Sequence, residues 1–178
     1  MRAEKKRLEP LGRVEVFDYP YMLAGRKAPD RQPVLVAAHA EALERAGRGH
    51  DGPKVLAGKS MGGRMGCHLA LKLGDAIAAL VCFGYPLVGM RGDVRDAVLL
   101  ELTRPILFVQ GTRDKLCPPE RLAAVRTRMQ APNELHEVEG GDHSLVVGKR
   151  ELAERGETQA ALDDGVTRAV ALFLDRYA

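Results

Sequence analysis

Two spacings of apolar residues alternate along the chain. Short runs rich in Val, Leu, Ile and Phe occupy residues 13–18, 54–58, 78–84, 105–111 and 133–139, and several close on Gly or Asp. Runs of this length and composition predict strands that end where the chain turns away from a sheet edge. Between them the apolar positions take a helical period. Val34, Leu35, Ala38, Ala42 and Leu43 form one stripe, Met65, Leu69, Leu71 and Leu73 a second, and Leu122, Val125 and Met129 a third. A final helix is predicted over residues 158–176, with Ala161, Leu162, Val166, Ala169, Val170 and Phe173 on one face. Strand and helix in strict alternation predict right-handed crossovers and a mostly parallel sheet of about five strands, covered by helices on both faces. The middle runs are apolar at successive positions, as burial on two sides requires. The segment 84–95, rich in Gly, Pro and charge, reads as a surface excursion or a lid.

A length of 178 residues suits one domain, 1–178, with enough core to need no staples. The net charge of +3 is small and the charges are interspersed, so no concentrated basic face marks a nucleic-acid binder. Cys67, Cys82 and Cys117 are odd in number, widely spaced and without a CxxC pair. That argues against a disulfide framework and a structural zinc site, and it fits a reducing, cytoplasmic setting. No apolar run approaches the roughly 20 residues of a membrane helix, and no apolar stretch follows the basic N-terminus as in a secretory signal. No membrane partner, metal or cofactor is expected.

The chemistry concentrates in Gly58-Lys59-Ser60-Met61-Gly62, which follows an apolar run and precedes a helical stripe. In that context Gly-x-Ser-x-Gly is a turn that lifts a serine hydroxyl clear of the sheet, and Gly58 and Gly62 are expected to leave room for neighbouring backbone. Gly63 and Gly66 extend the small surface and let the helix sit close. The chain contains two serines, Ser60 and Ser144, and one falls in this turn. Gly-Lys-Ser also ends a phosphate-binding loop, but the first glycine of that motif would fall on Pro53, which has no N–H to donate.

A serine nucleophile needs a base, and the base needs a carboxylate to fix its tautomer. Of five histidines, His39 and His68 lie in helical stripes, His50 in a polar connection and His136 within a strand-like run. His143, in Gly140-Gly141-Asp142-His143, follows the last predicted strand at the sheet edge where open α/β sheets bind ligands. Asp114, in Gly111-Thr112-Arg113-Asp114, follows the preceding strand at the same edge. Serine, aspartate and histidine then occur in an order known for triads built on this turn. Asp142 adjoins His143 too closely to reach its ring, and Asp93 is the substitute should Asp114 fail. Lys59, Tyr19 and Tyr85 are candidates to contact a substrate, the tyrosines as pocket walls. Arg64 reads as a solvated helix residue or a member of a local ion pair, and Cys117 as a turn residue.

Residues 17–22, 57–65, 82–86, 109–114 and 140–143 together resemble the α/β-hydrolase superfamily, most closely the small dienelactone-hydrolase-like and testis-expressed-protein-type hydrolases. The resemblance implies Ser60 as nucleophile, His143 as base and Asp114 as its orienting acid. It also implies that one oxyanion donor is the N–H of the residue after the nucleophile, Met61. Members of that fold carry a further strand and a His-Gly loop, supplying the second donor, upstream of the segment that begins here. Residues 1–11 read as the tail of the helix that follows that loop, with Leu8 and Leu11 its apolar remnants.

By this resemblance the chain is N-terminally shortened, with its missing strand lying between those at 14–17 and 55–57, or else these two pair directly. Loss of one oxyanion donor costs about a hundred- to thousandfold in rate, and an open central edge favours a homodimer. The expected function is hydrolysis of an ester or related acyl bond in a small molecule through an acyl-enzyme. The alternative is a non-catalytic interaction protein on the same scaffold with an incomplete oxyanion site.

Overall fold

A computed structural model describes residues 2–89 and 92–178. The helices preceding the sheet are α1 (Arg2–Leu8), the single turn α2 (Pro20–Leu23) and α3 (Gln32–Gly47). Strands β1 (Val55–Lys59), β2 (Ala79–Phe83), β3 (Ile106–Gly111) and β4 (Asn133–Val138) then alternate with α4 (Met61–Leu73), α5 (Ala97–Glu101) and α6 (Pro119–Arg126). Helices α7 (Lys149–Arg155) and α8 (Gln159–Tyr177) complete the order. The strands lie side by side in chain order, and every pairing is parallel. Each strand therefore ends at the same edge, and the loops that leave those ends converge.

Side chains alternate across the sheet, and each face has its own core. Leu56, Leu80, Cys82, Ile106 and Phe108 pack with residues of α3, α4, α5 and α6. Ala79, Val81, Phe83, Leu107, Val109 and Val138 pack with Leu8 of α1, Leu152 of α7 and Val166, Val170 and Phe173 of α8. Every residue of β2 and β3 is buried, which accounts for their unbroken apolar character. The helix boundaries have local causes. Proline in the first turn opens α2, α3 and α6, where a missing N–H costs nothing. The Thr158 side chain accepts from the Ala161 N–H at 3.1 Å to cap α8, and left-handed Gly156 ends α7. An ion pair between Arg7 and Asp163 ties α1 to α8. No helix among the described residues is long and apolar enough to cross a membrane.

Among the described residues the sheet has four strands rather than about five, because residues 13–18 join no ladder. A strand exists through a lateral partner, and among the described residues this run neither pairs with β1 nor with another strand. Side chains hold it instead. Val14 packs on the α8 face, while Phe17 joins the opposite core with its ring 5.0 Å from those of Tyr19 and His39. Direct pairing of residues 14–17 with 55–57 is therefore not found. In the segment 84–95, Met90 and Arg91 lie outside the described residues. On either side of them Val88 bridges Val94; Tyr85 and Leu87 on the first flank are buried in the core, whereas Val94 on the second is exposed.

Phe108, fully buried in β3, and Leu172, exposed on α8, give opposite expectations. Phe108→Ala is expected to cost about 3–5 kcal/mol in urea unfolding and Leu172→Ala less than about 0.5 kcal/mol. Burial also lowers the His39 imidazole to about 4, against about 6.5 for an exposed histidine. Between those values the unfolded chain binds more protons. Stability should therefore fall as pH drops through that window, and His39→Leu should remove part of the slope. His68 and His136, also lowered by desolvation, contribute with the same sign.

Candidate active site

Loops leaving β1, β3 and β4 meet at one point on the carboxyl edge. Ser60, between β1 and α4, has φ 51° and ψ −121°, a left-handed backbone that a residue with a β-carbon rarely adopts. Its N–H donates to the Phe83 carbonyl at 2.9 Å, carrying the β1–β2 ladder one residue further. The Arg64 N–H donates to the Ser60 carbonyl at 3.2 Å, beginning the helix. The turn is so tight that a β-carbon on Gly58 would lie 2.3 Å from the Gly63 nitrogen, and one on Gly63 would lie 2.9 Å from the Gly58 carbonyl and 3.0 Å from the Cys82 sulfur. Gly62 does not share this role, because a β-carbon there meets nothing within 4 Å. The close approach is between Gly58 and Gly63, since the first helical turn brings residue 63 back over the strand while residue 62 faces away.

Asp114 closes the turn after β3, its N–H donating to the Gly111 carbonyl at 3.1 Å. Its carboxylate is wholly buried, and three N–H groups compensate for the lost water. Oδ1 accepts from the Leu116 N–H at 2.8 Å, and Oδ2 accepts from Gln110 Nε2 at 2.5 Å and from His143 Nδ1 at 2.7 Å. An ionised carboxylate only accepts, so Nδ1 carries the imidazole proton and Nε2 presents a lone pair. That lone pair faces Ser60 Oγ at 2.8 Å. The structure thus brings Ser60, His143 and Asp114 together in one hydrogen-bonded line.

The loop carrying His143 is shaped by Asp142, whose Oδ1 accepts from the N–H groups of Ser144 at 2.7 Å and Val146 at 3.0 Å. The turn passes through Leu145 at φ 64°, whose buried side chain anchors it. The neighbouring loops hold it from outside. The Gly140 N–H donates to Thr112 Oγ1 at 2.8 Å and the Arg113 N–H to the Gly141 carbonyl at 2.9 Å. Glu151 receives both arms of the Arg113 guanidinium, at 2.6 and 3.1 Å, and also binds Arg155. Beneath the ring lies Gly84 at φ 61°, where a β-carbon would stand 2.6 Å from the His143 carbonyl.

Other candidates lie elsewhere. Tyr19 is buried beside His39, its hydroxyl 3.5 Å from Nδ1. Tyr85 is fully buried, its hydroxyl donating to the Arg95 carbonyl at 3.1 Å. Both rings are core members rather than walls of an open pocket, because aromatic area on these positions is claimed by α3, α4 and the sheet. Lys59 ends β1 half-buried. Met61 begins α4, so its N–H has no intrahelical acceptor. Asp93 pairs with Arg95 at 3.4 Å and takes no part in orienting His143. Arg64 is half-buried and among the described residues makes no ion pair, its Nε without a hydrogen-bond partner. The three thiols are buried; burial and then the Asp114 charge push Cys117 up to about 12, which keeps it from acting as a nucleophile.

Gln110 and Gly84 were not singled out from the sequence. Gln110 had a legible signal, as the one polar side chain in the apolar run 106–111. Gly84 had none beyond its place after a strand.

A parallel sheet with a strained serine at a strand-to-helix turn is the architecture of the α/β hydrolases. The chain belongs to that family, a hydrolase of that fold, since the model for the alpha/beta hydrolase domain matches residues 1–174. Solved structures agree on the fold. An alpha-beta serine hydrolase homologue from Coxiella burnetii is 19% identical with a TM-score of 0.66, covering 94% of this chain and 74% of its own. Dienelactone hydrolase from Anabaena variabilis is 15% identical with a TM-score of 0.68, covering 99% of this chain and 78% of its own. Est1E from Butyrivibrio proteoclasticus, with ferulic acid bound, is 17% identical with a TM-score of 0.61, covering 96% and 82%.

The two glycines next to each other in α4 should respond oppositely to a methyl group. Gly63→Ala is expected to destabilise the fold in urea unfolding through its contacts with Gly58 and Cys82. Gly62→Ala, in open space, should be neutral or stabilise by up to about 1 kcal/mol through helix propensity.

Proposed function

We propose that this chain hydrolyses an ester or related acyl bond in a small molecule through a covalent acyl-serine intermediate. The observation that carries the reading is the line from Ser60 Oγ to His143 Nε2, 2.8 Å, and from His143 Nδ1 to Asp114 Oδ2, 2.7 Å. Neutral imidazole takes the Ser60 proton as the oxygen attacks the carbonyl carbon, and Asp114 stabilises the imidazolium so formed. The tetrahedral oxyanion accepts from the Met61 N–H at the positive end of α4. The imidazolium returns its proton to the leaving group. Water, activated by the same imidazole, then releases the acid. The likeness to dienelactone hydrolase and to Est1E, with its bound ferulic acid, favours an acyl substrate.

A fluorophosphonate probe tests the nucleophile directly. Labelling of the wild-type chain and its loss in Ser60→Ala are expected, while a folded wild-type chain that takes no label would favour the interaction-protein reading. Against an ester, Ser60→Ala and His143→Ala should lose roughly four to six orders of magnitude in kcat and Asp114→Asn about four.

A further inference from the structure

Gln110, the residue before the last of β3, has 3% of its surface exposed in a strand whose other side chains are apolar. Both ends of its carboxamide meet partners of fixed polarity. The Tyr85 N–H, which can only donate, reaches Oε1 at 2.9 Å, and the Asp114 carboxylate, which only accepts, lies 2.5 Å from Nε2. The amide therefore has one orientation, with no rotamer flip available that keeps either bond. Both partners connect to His143. Tyr85 follows Gly84, on which the His143 backbone rests, and Asp114 Oδ2 is the same oxygen that receives His143 Nδ1.

We propose that Gln110 is a positioning residue. It locks the lateral freedom of Asp114 Oδ2 and couples it to the turn beneath His143, so that the imidazole stays in line with Ser60 Oγ. The proposal rests on the serine-hydrolase reading above and deepens it. A buried amide that served only to fill β3 would need a hydrogen-bond partner at each end, but would have no bearing on the imidazole. The geometry instead spends one of its N–H groups on the oxygen shared with the ring. Of the three groups that donate to Asp114, Gln110 is the one side chain apart from His143 itself.

Two variants separate positioning from packing, with p-nitrophenyl acetate as substrate. Gln110→Met keeps the volume and removes the donor. It should lower kcat about ten- to hundredfold, the range carried by a hydrogen bond to a charged group, and leave KM within about threefold. Gln110→Glu is isosteric and reproduces the donor only while it holds a proton, one oxygen accepting from Tyr85 and the hydroxyl donating to Asp114. Two carboxyls in contact hold one proton between them until pH rises far enough to remove it. The variant should therefore gain an alkaline loss of activity where the wild-type rate stays flat.

Wild-type kcat in Gln110→Met, or a Gln110→Glu profile parallel to wild type at all pH values, would overturn the proposal. Should Gln110→Met fail to fold in thermal melting, Gln110→Glu decides alone. A proton NMR spectrum keeps the test independent of turnover, because the His143 Nδ1 proton held by Asp114 resonates far downfield. A displaced or lost signal in Gln110→Met supports the proposal, and an unmoved one counts against it. A wild-type chain inert to the ester but showing that signal argues against the hydrolytic reading alone.

Discussion

The left-handed backbone at Ser60 is the constraint from which the rest of the site follows. A residue with a β-carbon at φ 51° costs about 1–3 kcal/mol unless its surroundings over-determine it. Here they do. The Ser60 N–H is held by the last carbonyl of β2, its carbonyl begins α4, and the strand and helix approach so closely that Gly58 and Gly63 touch backbone to backbone. Bonded at both ends, the turn projects its hydroxyl over the carboxyl edge of the sheet. A looser turn would let the side chain fall back among the loops.

The parallel sheet then does the rest of the assembly. With four strands in chain order, the ends of β1, β3 and β4 share one rim, and residues 83 positions apart come within hydrogen-bond reach. The loops cross-link rather than merely abut. Asp142 folds the histidine loop on itself, Thr112 and Arg113 bind it to the aspartate loop, and Glu151 reaches back from α7 to clamp Arg113. Burial makes this rigidity necessary, since a carboxylate without water must find every compensating N–H in the protein. Asp114 has three, each from a different direction.

The same physics explains where expectation and structure part. Residues 13–18 have a strand's composition, but a strand needs a neighbour, and here the run is held by Val14 and Phe17 on opposite faces instead. Tyr19 and Tyr85 follow the ends of apolar runs, as pocket residues often do, yet their rings are large enough that the core claims them. Gly62 belongs to the motif, whereas the close contact belongs to Gly63, because helical rotation decides which of the two turns toward the strand.

The alternation of apolar spacings, the glycine-flanked serine and the order of Asp114 and His143 were all readable in one dimension. They depend on local propensity and on a rule of connection: successive parallel strands put their ends on one rim. What the chain alone could not decide was every relation between residues far apart in sequence. Whether a run pairs, which face a tyrosine turns to, and whether the amide of Gln110 meets the carboxylate of Asp114 depend on the packing of the whole. Those contacts exist only after the backbone entropy of the intervening loops has been spent, and no local pattern of side chains encodes their outcome.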